Sequence, residues 1–310
     1  MDRRRLLTGL LLAAASAVLF SAKAIVVKLA YREGVDALTV VALRMGMALP
    51  VFAALSVRYV RRDGPLARRD TFRIVALGAG AYYASIVLDF AGLSYISAGL
   101  ERLLLFLHPT FVLLLSALVL GRRVTGRELL AMALSYAGIA LVMATSHRIE
   151  GAHVLLGSVL VLASAFVYAV YLVGAGELVR RLPSVRVSAL SLTAACAAAL
   201  VHFASVRPLS DLAVLSPTVW GLSAANALLC TVAPVLLLGE AIARVGAPRA
   251  AQVGMIGPVV TIGLGAWLLG EPVTAGQVAG GAMVLAGVGL IARRRVDASG
   301  VVTQDASGRG

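Results

Sequence analysis

Apolar stretches of about 20 residues, each long enough to cross a ~30 Å hydrocarbon core as a helix, recur along the chain with short polar breaks between them. They fall at 6–30, 38–57, 73–93, 97–120, 126–144, 154–176, 187–206, 218–239, 247–269 and 274–292. The pattern predicts an all-α integral membrane protein of ten transmembrane helices. Residues 296–310, VDASGVVTQDASGRG, lack apolar periodicity and read as a disordered tail.

The pattern repeats. Residues 93–143 align with 242–292 at a constant offset of 149, so that Pro109 falls on Pro258, Leu120-Gly121 on Leu269-Gly270, Val124-Thr125 on Val273-Thr274 and Ala137-Gly138 on Ala286-Gly287. Residues 9–17 (GLLLAAASA) match 157–165 (GSVLVLASA) at an offset of 148. This predicts two five-helix units, 6–144 and 154–293. The start of the chain also satisfies a secretory signal, with Ala22-Lys23-Ala24 as its cleavage site. Cleavage is not expected, because it would remove the first copy of the sixth span.

Composition agrees: with 60% hydrophobic and 14% charged residues, the chain lacks the polar surface of a soluble domain of this size. The net charge of +13 forms no interleaved basic-aromatic face, so nucleic acid is not an expected partner. Lys and Arg instead crowd alternate gaps, densest over 58–73, while the other gaps hold Arg32, Arg148 and Arg207. That asymmetry places both termini in the cytoplasm. Five spans per unit is an odd number, so the second unit is inverted relative to the first. Arg122-Arg123 against Glu271-Pro272 then reads as one ancestral turn charged according to its side. Cys196 and Cys230 both lie within spans; no disulfide, metal site or cofactor is indicated.

The paired segments PTFVLLLSALVLGRRVTGRELLAMALSYAGIALV and PVVTIGLGAWLLGEPVTAGQVAGGAMVLAGVGLI resemble the EamA-type transporters of the drug/metabolite transporter superfamily over about residues 6–293. The likeness lies in a proline, a Leu-Gly-Glu turn and a Gly-rich last helix. Glu271 keeps the carboxylate; Arg122 replaces it in the first unit, so no role of that carboxylate transfers there. The resemblance implies a bacterial inner-membrane carrier of small metabolites, often amino acids and often outward. Arg44 matches a position where the family commonly has an arginine, which identifies no role.

Charges within spans need a partner, a wet cavity or a snorkelling route. Lys23, Lys28, Arg44, Asp89, Glu101 and Arg102 all fall in the outer half of the first unit, with Leu238, Ala250 and Ala251 opposite Asp89, Glu101 and Arg102 in the second. Four cations against two carboxylates leave a local excess that favours an anionic substrate group; internal pairing is the plainer alternative, and Lys28 is placed to snorkel. Asp89 and Glu101 also suit a proton relay. His108 stands two helical turns beyond Glu101 and extends that relay, unless it bonds a carbonyl freed near Pro109. Tyr168 and Gln252 are further substrate contacts, with Tyr82, Tyr83, Tyr171 and Asn226 able to line the same cavity or to join helices. Pro109 and Pro258 are hinges or static kinks. A homodimer through the last span is a secondary expectation.

The function predicted is secondary active transport of a small solute, with the lipid bilayer as solvent and a proton as coupling ion. No G-x-x-x-x-G-K-[ST] loop binds ATP. An intramembrane enzyme is the first alternative, disfavoured by the lack of H-E-x-x-H and G-x-S-x-G; a passive channel is the other.

Overall fold

The computed structural model describes residues 3–121, 124–150, 153–245, 250 and 253–301, and every regular element among them is helical. In chain order these are α1 (Arg3–Arg32), α2 (Ala37–Asp63), α3 (Arg68–Leu93), α4 (Ala98–Leu105), α5 (His108–Leu120), α6 (Gly126–Glu150), α7 (Val154–Val179), α8 (Ser184–Val206), α9 (Pro217–Val245), α10 (Gly257–Leu269) and α11 (Ala275–Val301). Eight stretches are long and apolar enough to cross a membrane, counting α4 and α5 together as Ala98–Val119. Two shorter apolar helices, Gly257–Leu269 and Ala275–Gly287, stand where the sequence predicts the ninth and tenth spans. Large apolar side chains such as Leu118, Val119 and Trp267 face outward while Ser, Thr and charged groups are buried, the arrangement that hydrocarbon solvent selects.

Helix α11 runs to Val301, into the tail expected to be disordered, because a helix once nucleated by packing propagates at one hydrogen bond per residue fixed. Residues 302–310 lie outside the described residues, as do Arg122, Arg123 and Gln252.

Packing follows the internal repeat. Ser16 in α1 donates to the Pro234 carbonyl of α9 at 2.8 Å, and its equivalent Ser164 in α7 donates to the Ser85 carbonyl of α3 at 2.7 Å. Helices α5 and α10 both stop on a left-handed glycine, Gly121 (φ 65°) and Gly270 (φ 69°), a conformation a Cβ would oppose. Helices α6 and α11 meet in a seam of small residues. Gly276 lies on Thr145, Gly280 on Gly138 and Val142, and Gly287 on Ser135 and Ala131. Rising numbers on one helix meet falling numbers on the other, so these two equivalent helices run antiparallel.

The third helix of each unit carries a π-helical turn, Ala76–Tyr82 in α3 and Leu228–Val232 in α9. Gly78 within the first of these packs directly on the Ser191 backbone of α8. The fourth predicted span is broken: α4 ends at Leu105, Phe106 and Leu107 form a turn, and α5 begins at His108 with Pro109 in its first turn. Pro258 holds the same place in α10, after a turn at Met255 and Ile256. A proline there forgoes an N–H that the first turn leaves unbonded in any case.

Candidate substrate and ion site

Helices α1, α3 and α4 bring three charged side chains to one buried point. Ser97 caps α4 by accepting from Leu100 N–H (3.2 Å), and the first turn of that helix presents Glu101, which is fully buried. Lys23 reaches it from α1 and Asp89 from the end of α3. The Lys23 ammonium donates to Asp89 Oδ2 at 2.5 Å and to Glu101 Oε1 at 2.8 Å. The remaining carboxylate oxygens, Asp89 Oδ1 and Glu101 Oε2, have no hydrogen-bond partner. One ammonium between two carboxylates leaves a buried trio with a formal charge of −1 when all three are ionised.

Arg44, buried in α2, lies beside the trio but outside it. Its Nε donates to Thr231 Oγ1 of α9 at 2.8 Å. The Phe90 ring of α3 is within cation–π reach of both cations, with its centroid 5.2 Å from Arg44 Cζ and 5.7 Å from Lys23 Nζ. Arg102 turns the other way, over the Phe106 ring at 5.4 Å and against Gly257, where an added Cβ would come within 2.7 Å of Arg102 Nη2. Its Nε has no partner.

Lys28 does not belong to this group. It pairs with Glu271 of the second unit at 2.9 Å, and both Glu271 oxygens accept the Ala98 N–H at 3.0 Å, capping α4 electrostatically. The local excess expected from four cations and two carboxylates is therefore smaller: Lys23, Arg44 and Arg102 against Asp89 and Glu101. The sequence marks Glu271 as a topology signal and as the carboxylate of the Leu-Gly-Glu turn but not as the partner of Lys28, because a contact between units carries no sequence spacing.

His108 and Glu101 stand on different helices, since the turn at Phe106 and Leu107 breaks the phase that would align them. His108 Nδ1 bonds the Leu105 carbonyl at 2.8 Å; a carbonyl only accepts, so the proton of this bond is on Nδ1. Its ring meets Tyr168, which packs on Tyr82 and Tyr171 at centroid distances of 6.1 and 5.9 Å. Tyr168 thus belongs to an aromatic group between α3, α5 and α7, joined to the ionic trio by no hydrogen bond or ring contact among the described residues. Tyr83 pairs with His202 Nδ1 at 2.6 Å. Thr231 and Phe90 are site residues that sequence reasoning missed. Thr231 is signalled by the repeat alone, as the equivalent of Tyr82 at offset 149. Among the described residues no group of three or more His, Cys, Asp or Glu side chains is placed to hold a metal ion.

Both units match the model of the EamA-like transporter family, over residues 7–144 and 155–293. The chain is 33% identical over 268 residues to the uncharacterized transporter YcbK of Bacillus subtilis, covering 85% of this chain and 86% of that protein. It is 30% identical over 279 residues to a probable terminal-alkyne amino-acid exporter of Streptantibioticus cattleyicolor, covering 86% and 88%. A crystal structure at 16% identity superposes with a TM-score of 0.61 over 91% of this chain and 97% of that one, a likeness of fold.

Proposed function

Because this chain belongs to the EamA-like transporter family, we propose that it is a secondary active carrier that exports an amino acid or related small metabolite by alternating access. The reading takes the helices as ten transmembrane elements in two inverted five-helix units. It places them in a bacterial inner membrane with both termini in the cytoplasm, as the alternating loop charges favour. The antiparallel α6–α11 seam and the paired Ser16 and Ser164 bonds support the inversion.

The observation that carries the proposal is the buried Lys23–Asp89–Glu101 trio beside the lone Arg44 guanidinium. Ionic groups this deep in a membrane protein are costly and belong to pathways. A zwitterionic solute fits both halves: its carboxylate answers the cations, and its ammonium answers the free Asp89 and Glu101 oxygens. The Streptantibioticus relative, a probable terminal-alkyne amino-acid exporter, favours the same class.

A proton supplies the drive. Asp89 Oδ1 and Glu101 Oε2 are open acceptors; one proton on either carboxylate leaves Lys23 with a single counter-ion and makes the trio neutral. Proton entry and substrate ammonium therefore compete for the same oxygens, which is the elementary requirement of exchange. His108, held to Leu105, stabilises the break in the fourth span. The breaks before Pro109 and Pro258 are the bending points at which each unit opens.

The test is flux in proteoliposomes across amino acids, organic acids, purines and cationic drugs, with and without a pH gradient. Saturable uptake that is accelerated by internal substrate and concentrated by the gradient is expected for an amino acid. Gradient-driven accumulation that persists in Asp89→Asn/Glu101→Gln ends the proton assignment. Strictly cationic substrates end the zwitterion reading, and unsaturable flux makes the protein a channel.

A further inference from the structure

Arg44 is the one charged group of the buried cluster on α1 to α3 that no carboxylate answers. The residue is 4% exposed, and no Asp or Glu lies within ion-pair distance among the described residues. The nearby acids, Asp89 and Glu101, are taken by Lys23. A guanidinium has five N–H donors and no acceptor, and among the described residues the one hydrogen bond it makes is from Nε to Thr231. A buried charge left so is expensive, and the Phe90 ring offsets only part of that cost.

The partner of that bond is fixed in orientation. The π-helical turn Leu228–Val232 sets Thr231 five residues after Asn226, and the Thr231 hydroxyl donates to the Asn226 carbonyl at 2.8 Å. Its lone pairs therefore face Arg44. The Asn226 side chain is fully buried, yet neither its Oδ1 nor its Nδ2 has a hydrogen-bond partner. Ser223, three residues earlier and so on the same helix face, is 1% exposed and its Oγ is likewise unpartnered. Buried side-chain polar atoms are rarely left unbonded, and Arg44, bonded to Thr231 of this same helix, adds a buried charge that no carboxylate answers.

We propose that Arg44, held in place by Thr231, and Asn226 form a carboxylate-binding subsite at the π-helical turn of α9. One guanidinium answers one negative charge, which selects a monoanion; its planar fork matches two oxygens held side by side, and the Asn226 amide adds neutral donors. Arg44 comes from the first unit and Thr231 and Asn226 from the second, so an occupied subsite joins the two units. That the ligand in transport is the solute's own carboxylate rests on the carrier reading above. The subsite itself is a property of the resting protein.

The experiment uses the purified full-length protein in detergent at constant ionic strength, titrated with acetate, acetamide and chloride while thermal stability and heat of binding are followed. Acetate stabilises saturably; acetamide and chloride do not. Arg44→Gln weakens acetate binding by about tenfold or more, the loss of a charge-assisted hydrogen bond. Arg44→Lys, which keeps the charge and loses the fork, weakens it less, and Asn226→Leu weakens it without touching any charge. Without acetate, Arg44→Gln melts no lower than the parent, because an unanswered charge has been removed. Equal responses to acetate and chloride, no saturable acetate response, or unchanged acetate affinity in Arg44→Gln and Asn226→Leu would overturn the assignment. Should Arg44→Gln fail to fold, Arg44→Lys and Asn226→Leu carry the same comparison. Flux that is absent while acetate binding holds sinks the carrier reading alone; flux that is present without an acetate response sinks the subsite alone.

Discussion

Replacing Lys23 with methionine tests whether the ionic trio is a structural unit. The ammonium contacts two carboxylates at 2.5 and 2.8 Å, with side chains 10%, 8% and 0% exposed for Lys23, Asp89 and Glu101. At an effective dielectric constant of about 20, each contact at that distance is worth roughly 6 kcal/mol of attraction, most of it offset by desolvation of the ions. Deleting the cation leaves both anions buried and repelling, and removal of one partner from a buried pair typically costs about 3–5 kcal/mol. Lys23→Met is therefore expected to lose about that much. Asp89→Asn and Glu101→Gln each leave a one-to-one pair and are expected to lose less than about 1 kcal/mol. The triple variant, neutral throughout, returns to within about 2 kcal/mol of the parent, since a buried ionic group and a neutral replacement are often close in stability. Reversible unfolding of the purified protein in mixed detergent micelles, read by far-UV circular dichroism, measures all four. A loss below about 1 kcal/mol in Lys23→Met, or a triple variant weaker than the single one, would refute the reasoning.

Four further outcomes follow from single contacts. Gly280→Ala places a Cβ on the Gly138 carbonyl, a backbone atom that cannot turn aside, and is expected to cost about 1–3 kcal/mol in the same unfolding assay. Glu271→Ala removes both the cap on Ala98 and the Lys28 pair and should lose about 1–2 kcal/mol, while Glu271→Gln, which still accepts the Ala98 N–H, loses less. Ser16→Ala and Ser164→Ala break equivalent bonds between helices and should each cost about 0.6 kcal/mol, equal within error and additive when combined. His108→Leu loses its bond to Leu105 and about 1 kcal/mol of stability, yet keeps a flux response to a pH gradient, which proteoliposomes report directly.

Most of the scaffold is legible in the chain because hydrocarbon solvent imposes one rule, apolar length, and duplication states it twice. The small residues Gly138, Gly276, Gly280 and Gly287 announce a close helix contact, and the structure places them in one seam. What periodicity hides is any change of period. The turn at Phe106 and Leu107 shifts the helical phase and separates Glu101 from His108, and the π-helical turns shift it within α3 and α9. The partners of the buried charges are equally hidden. Lys28 meets Glu271 across 243 residues and Arg44 meets Thr231 across 187, distances that topology alone closes. The inward membership of Lys23, Asp89 and Glu101 was readable from the cost of charge in a span. Their pairing was readable only as one of two alternatives.

The α6–α11 seam bears on how such a chain arose. Gly138 on Gly280 becomes, when each residue is exchanged for its equivalent, Gly287 on Ala131, and both contacts are present. A surface that maps onto itself under a twofold rotation is the surface by which two identical chains associate. A single ancestral unit bearing these residues would close the same seam with a second copy of itself. Once both copies lie in one chain they need not stay alike: where the first carries Lys23, Asp89 and Glu101, the second has Tyr171, Leu238 and Ala250.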